Sequence, residues 1–260
     1  MEDTDMFRDD YVKLANGAAS KVGLLNKDPW AYFVMSMLAG VYVGFGVLLA
    51  FTIGGMLSGS AGAKIAMGAS FGVALSLVVM AGAELFTGNN LSMTAGMLEK
   101  TVSAKDAIKL WVVCWIGNLC GAVILSVLFS LTGLYSDATL ASITGAAATK
   151  MTAGFVPLLT RGILCNMLVC IAVWCSSKLQ SEAGKLIMIF WCLLAFFTTG
   201  FEHSIANMTT LTLALIDNGG NAAITMGGYW YNLITVTLGN MIGGIVLVAL
   251  PYYTAARSRD

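Results

Sequence analysis

This chain has little charge, little proline and almost no histidine. Only 11% of its 260 residues are Asp, Glu, Lys or Arg, whereas a soluble domain carries about 25%. That shortfall excludes an ordinary soluble fold. The formal net charge is zero, so no basic face for a nucleic-acid partner is expected. The prolines are Pro29, Pro157 and Pro251, none of them in an Asn-Pro-Ala triplet. The one histidine, His203, cannot supply a bis-histidine haem pair, and no Cys/His cluster stands beside it, so neither metal nor cofactor is expected and a membrane enzyme is disfavoured. The six cysteines (Cys114, Cys120, Cys165, Cys170, Cys175, Cys192) show no CxxC spacing and fall in or at the ends of apolar runs, which suits small core residues. Residues 1–29 hold no long apolar core, so a cleavable signal peptide is not expected.

What is present is apolar length. Hydrophobic residues make up 58% of the chain, and several windows exceed the roughly 20 residues that span a bilayer. The reading is an all-α membrane protein with six spans, near 31–56, 64–94, 107–131, 156–176, 185–215 and 229–253. Three parts follow. Residues 1–29 form an amphipathic helix on the membrane surface, with Phe7, Val12, Leu14, Val22 and Leu24 among Arg8, Lys13 and Lys21. Residues 30–254 form the spanning domain, with residues 132–155 read as a loop; 255–260 are a short tail. All but three of the 14 Lys and Arg fall on one side: Arg8, Lys13, Lys21, Lys27, Lys100, Lys105, Lys109, Lys178, Lys185, Arg257 and Arg259. Lys64 and Lys150 lie opposite, and Arg161 lies inside the start of the fourth span. Both termini are therefore expected in the cytoplasm.

The two halves, about 30–131 and 156–253, resemble each other. Gly117-Asn118…Gly121 matches Gly239-Asn240…Gly243, Gly40 falls on Gly162, and Gly82-Ala-Glu84 matches Gly200-Phe-Glu202. Each half holds three spans, an odd number, so the halves insert with opposite orientations, as in an inverted repeat with broken helices and a site between them. The second and fifth spans break at Gly-x-Glu. An ionisable residue and a helix break at membrane depth are both costly, and they coincide at His203, which marks the centre of a pore. Inward-facing helix N-termini suit a small anion. Thr87, Asn89, Asn90, Asn166, Asn207 and Asn240 supply polar groups; Phe71, Leu75, Leu85, Phe86, Val169, Phe196 and Phe197 supply apolar flanks. The path is wet at its centre and dry at both ends. A bare anion loses hydration at a dry ring, whereas a neutral weak acid passes readily. His203 can donate a hydrogen bond or lend a proton, its ordinary pKa being about 6.5. Glu84 and Glu202 are read as structural, each capping backbone N–H groups of its own loop. Asn118 and Asn207 serve equally as glue between helices, and Lys150 reads either as a solvated charge or as an anion attractor.

These residues resemble the formate/nitrite transporter family. The motifs are Gly82-Ala-Glu-Leu-Phe-Thr-Gly88, Asn166-Met-Leu-Val-Cys-Ile-Ala-Val-Trp174, Gly200-Phe-Glu-His-Ser-Ile-Ala-Asn-Met208 and Gly239-Asn240, and the likeness runs from about residue 30 to 250. The resemblance implies an aquaporin-like six-helix protomer in a homopentamer, one pore per protomer, in the inner (cytoplasmic) membrane of a bacterium. It implies His203 as the central histidine, Thr87 in the flexible loop of the broken second helix, and Asn166 and Asn240 as polar neighbours of His203. It places Phe71, Leu75, Leu85, Val169 and Phe196 at two hydrophobic constrictions and Lys150 in the outer vestibule. Family members carry nitrite, formate or hydrosulfide. Glu84 stands where formate members carry Asp and Gly88 where they carry Ser, and with Trp191-Cys-Leu-Leu-Ala195 this is closer to the nitrite and hydrosulfide branches. Nitrite is the first expectation, with formate or hydrosulfide next. A neutral-solute pore for water or glycerol is the alternative of another class.

Overall fold

The computed structural model describes residues 2–257, with side chains from residue 7 onward; Arg259 lies outside the described residues. They form helices α1 (Glu2–Lys27), α2 (Pro29–Met56), α3 (Ala63–Phe71), α4 (Val73–Ala81), α5 (Phe86–Leu98), α6 (Ala104–Thr132), α7 (Asp137–Thr152), α8 (Phe155–Lys178), α9 (Glu182–Thr199), α10 (Ser204–Ile216), α11 (Met226–Gly244) and α12 (Leu250–Ala256). A π-helical turn, Ile245–Ala249, joins the last two. Local chemistry sets the starts. Asp28 accepts from Ala31 N with Pro29 in the first turn, and Ser103, Ser136, Ser181 and Thr225 each accept a backbone N–H three residues on. Six stretches are long and apolar enough to cross a membrane: α2, α3 with α4, α6, α8, α9, and α11 through α12. The chain is a multi-pass membrane protein. The short helices α5 and α10 continue α4 and α9 after the two breaks.

Close helix packing carries the inverted repeat. A Cβ at Gly121 would collide with the Met37 carbonyl of α2, and one at Gly243 with the Ile163 carbonyl of α8. Backbones approach this closely only where both sides present small residues. The same pairing corrects the alignment of the first and fourth spans. Phe33 and Met37 match Leu159 and Ile163, so Gly40 pairs in the repeat with Asn166 and not with Gly162. Both spans carry small residues one turn apart, and a slip of one turn leaves glycine on glycine.

Two expectations change. Residues 132–155 are not a loop but carry α7, which packs on α2, α10 and α11; their high Ala and Thr content reads as loop in composition but supports a helix whose small face meets its neighbours. The N-terminal helix does not lay its apolar face on lipid. Tyr11, Leu14, Ala15, Ala18 and Leu25 are buried in protein, mainly against α5, α2 and α12. Tyr11 donates to the Ala249 carbonyl at 3.3 Å, Arg8 pairs with Glu99, and Lys13 donates to the Ser177 carbonyl at 2.9 Å. The small residues on the Tyr11–Ala18 face were not part of the apolar pattern, and they are what lets α1 seat against the half-length α5.

Gly121→Ala is expected to destabilise the protein by about 1–3 kcal/mol through overpacking. Gly145→Ala, where a Cβ meets nothing within 4 Å, is the neutral control. Thermal unfolding in detergent reads the difference; equal melting of the two variants would count against the close α2–α6 approach.

Candidate functional site

Each break follows a glycine in the left-handed region: Gly82 at φ 77° ends α4 and Gly200 at φ 85° ends α9. Three residues outside any helix follow; Ala83 N and Phe201 N still donate to the Val78 and Phe196 carbonyls, and the groups after them turn to other segments. Glu84 N donates to the Met35 carbonyl at 3.1 Å and Glu202 N to the Arg161 carbonyl at 3.2 Å. One asparagine serves the rest of each break. Asn118 Nδ2 donates to the carbonyls of Ser36 (2.7 Å) and Glu84 (2.9 Å), while its Oδ1 accepts from Phe86 N (3.0 Å). Asn240 Nδ2 donates to the carbonyls of Gly162 (2.8 Å) and Glu202 (2.9 Å), while its Oδ1 accepts from Ser204 N (2.9 Å).

Asn240 is therefore not a polar neighbour of His203 facing a path. Its amide is committed to backbone. Asn166 is likewise fully buried, donates to the Asn240 carbonyl at 2.7 Å and the Thr87 carbonyl at 3.3 Å, and lines none of the cavities described below. Thr87 lies in the first turn of α5, past the loop in which it was expected. Phe86 faces away, into an apolar groove between α6 and α11.

The two glutamates do not cap their own loops either. Glu84 Oε2 accepts from Lys21 Nζ (2.9 Å), Asn89 Nδ2 (3.0 Å) and the Tyr32 hydroxyl (3.2 Å). Glu202 Oε2 accepts from Lys150 Nζ and Asn207 Nδ2, at 2.7 and 2.6 Å. A carboxylate buried this deeply is held by a full opposite charge, which a backbone amide does not supply. The lysines come from α1 and α7, the two helices outside the six spans. Lys150 stands on the wall of the outer cavity, and its ammonium is bound to Glu202.

His203 closes the second break. Its Nδ1 accepts from Ala206 N at 3.1 Å, making it the N-cap of α10. Nδ1 thus carries no proton, the ring is the Nε2–H tautomer, and Nε2 donates to Thr87 Oγ1 at 2.9 Å. The Phe196 ring stacks on it, with centroids 5.9 Å apart. Three cavities follow one another through this point. The outer one, 380 Å³, is bounded inward by Phe196 and His203. The central one, 10 Å³, is lined by Val43, Phe71, Ala74, Leu75, Leu85, Val169, Leu193, Phe196 and His203. The inner one, 240 Å³, shares Leu75 and Leu85 with the centre and reaches Lys21 and Glu84. Phe71, Leu75, Leu85, Val169 and Phe196 all line the central space. Val43 and Leu193 were missed, yet the corrected repeat pairs them with Val169 and Leu75. Lys21 was missed as well, and nothing near Glu84 in sequence signals it. Lys64 and Arg161 also line the outer cavity.

The formate/nitrite transporter family model matches residues 10–254. The chain belongs to this family. It is 41% identical to the nitrite transporter NirC of Escherichia coli over 253 residues, covering 96% of this chain and 92% of that protein. It is 38% identical to a probable formate transporter of Methanothermobacter thermautotrophicus, covering 85% of this chain and 86% of that protein. Among solved structures it is similar to an FNT family ion channel, with TM-score 0.90 and 39% identity over 95% of this chain and 98% of that one. It is also similar to a pentameric formate channel with formate bound, with TM-score 0.77 and 26% identity over 88% of this chain and 97% of that one. Both likenesses fit an all-helical fold with six spans and two broken helices.

Lys150→Met strands the Glu202 carboxylate and is expected to cost about 3 kcal/mol. Adding Glu202→Gln should restore most of it, and a double-mutant cycle on melting temperature measures the coupling. Additive losses would mean that the two groups do not pair.

Proposed function

We propose that this protein is a channel for small monovalent weak-acid anions, with nitrite as first substrate and formate and hydrosulfide as close alternatives. The observation that carries this reading is the row of three cavities pinched at an apolar centre, the reverse of the wet centre and dry ends expected from the sequence, with the His203 ring on the wall of that centre and its Nε2–H resting on Thr87 Oγ1. Outside the pinch the anion keeps its water. At the Phe71–Phe196 ring it sheds it, and the Nε2–H of His203, released from Thr87 Oγ1, takes the place of a lost water as donor. The Leu75–Leu85 ring then passes the solute to the inner cavity. In this arrangement His203 gives a hydrogen bond readily. Lending a proton as well requires Nδ1 to let go of Ala206 N, so a transferred proton is replaced from the cavities and does not come from a standing imidazolium.

The nitrite assignment is supported by the similarity to NirC and by the Gly82–Gly88 motif. The distribution of lysine and arginine supports cytoplasmic termini in a bacterial inner membrane. A homopentamer is supported by the solved pentameric formate channel; the exposed apolar faces of α6 and α11 are consistent with contact with lipid or with a second copy.

Purified protein in liposomes is expected to move nitrite, formate and hydrosulfide, with nitrite fastest. His203→Ala removes one hydrogen bond to the solute, worth about 1–1.5 kcal/mol, and should slow nitrite roughly tenfold. Unchanged flux in that variant would overturn the role of His203. Glycerol permeation without anion flux would replace the reading by a neutral-solute pore.

A further inference from the structure

The inverted repeat matches the two vestibules position by position, and their charges do not match. In the inner cavity Lys21 faces Glu84, one cation for one carboxylate. In the outer cavity the only carboxylate, Glu202, is already bound to Lys150, and Lys64 and Arg161 stand on the same wall as two further cations. Among the described residues neither the Lys64 ammonium nor the Arg161 guanidinium has a carboxylate within ion-pair reach or a hydrogen-bond acceptor. Their positions are informative. The Arg161 carbonyl accepts from Glu202 N as the Met35 carbonyl accepts from Glu84 N, so Arg161 and Met35 are repeat equivalents. Met35 lines the inner cavity. An uncharged side chain thus meets every packing demand of this place, and the guanidinium is an addition confined to the outer face. Lys64 Nζ lies 3.4 Å from where a Cβ on Gly200 would be, at the C-terminal end of α9. The helix end offers it about half a negative charge, which leaves the cavity strongly positive.

We propose that Lys64 and Arg161 form an oxyanion-binding site in the outer cavity, which a doubly charged oxyanion occupies without crossing, so that it blocks flux from that face only. This rests on reading the cavities as a pore. The planar guanidinium fork takes two oxygens of one anion, and the ammonium of Lys64 takes a third. A space of 380 Å³ accommodates a tetrahedral oxyanion with some of its water, whereas the central 10 Å³ admits at most one water-sized group. Desolvation cost rises with the square of charge, so the dry rings that a monovalent weak acid crosses stop a divalent anion. Monovalent oxyanions such as nitrite use the same two groups in passing and are displaced by the divalent one.

Inorganic sulfate is the probe. Its binding to the purified protein in detergent is measured calorimetrically against chloride at equal ionic strength. Binding is expected in the wild type, and the K64Q/R161Q double variant should weaken it at least roughly tenfold, with Arg161→Lys intermediate because the fork is lost. In parallel, nitrite flux is followed in right-side-out and inside-out membrane vesicles, with sulfate on the outside. Inhibition in one orientation only supports the site, and this arm needs no variant. Undiminished binding in K64Q/R161Q, equal inhibition in both orientations, or nitrite flux untouched by sulfate in either would overturn it. If sulfate binds through these residues but no anion is transported, the site stands and the channel reading falls.

Discussion

The fold depends on satisfying backbone groups where two membrane helices stop in the middle of their crossing. Water that would hydrogen-bond an open chain in solution is absent from hydrocarbon, and each unmet amide there costs several kcal/mol. Asn118 and Asn240 solve the problem identically: one side-chain amide bridges a carbonyl of the neighbouring span, the carbonyl of the break's glutamate and the first free N–H of the following half-helix. Each bridge reaches across only because a glycine one residue before or three residues after the asparagine lets the helices nearly touch. Close packing and the breaks are therefore one construction.

The glutamates extend that construction outward. Glu84 and Glu202 lie where the breaks meet the vestibules, and each recruits a lysine from a helix that crosses nothing. The helices α1 and α7 are thereby fastened to the site they flank. Tyr32, Asn89, Asn207 and Asn232 complete the shells, so neither carboxylate rests on a single ion pair. His203 fits the same economy of parts. One nitrogen finishes a helix terminus, the other ties the ring to Thr87 of the opposite half-helix, and the ring itself stands on the wall of the central cavity.

Much of this was legible in the sequence because its signals are local. Gly-x-Glu within an apolar run announces a break, and a lone histidine beside it marks a candidate site; the set Phe71, Leu75, Leu85, Val169 and Phe196 comes from the family resemblance and not from the spacing of the residues. The misreadings are contacts between distant segments. The partner of Glu84 is Lys21, 63 residues away, and the amide nitrogens of Asn166 and Asn240, attributed to the polar lining, donate to main-chain carbonyls. The slipped register of the first and fourth spans hid the Met35–Arg161 equivalence. Arg161, a full charge near the head of an apolar span, was nevertheless a signal in plain sight.

The smallness of the central cavity has a consequence for the energetics of the whole membrane. Protons cross water quickly by hopping along an unbroken file of hydrogen-bonded molecules. The 10 Å³ between Phe196 above and Leu75 and Leu85 below has room for about one water and apolar walls apart from His203, so a file of water thins there to a single molecule. The vestibules have room for water, and the relay between them narrows to that one molecule and the His203 ring. A chain of this shape therefore offers protons a far thinner path than an open water-filled pore would.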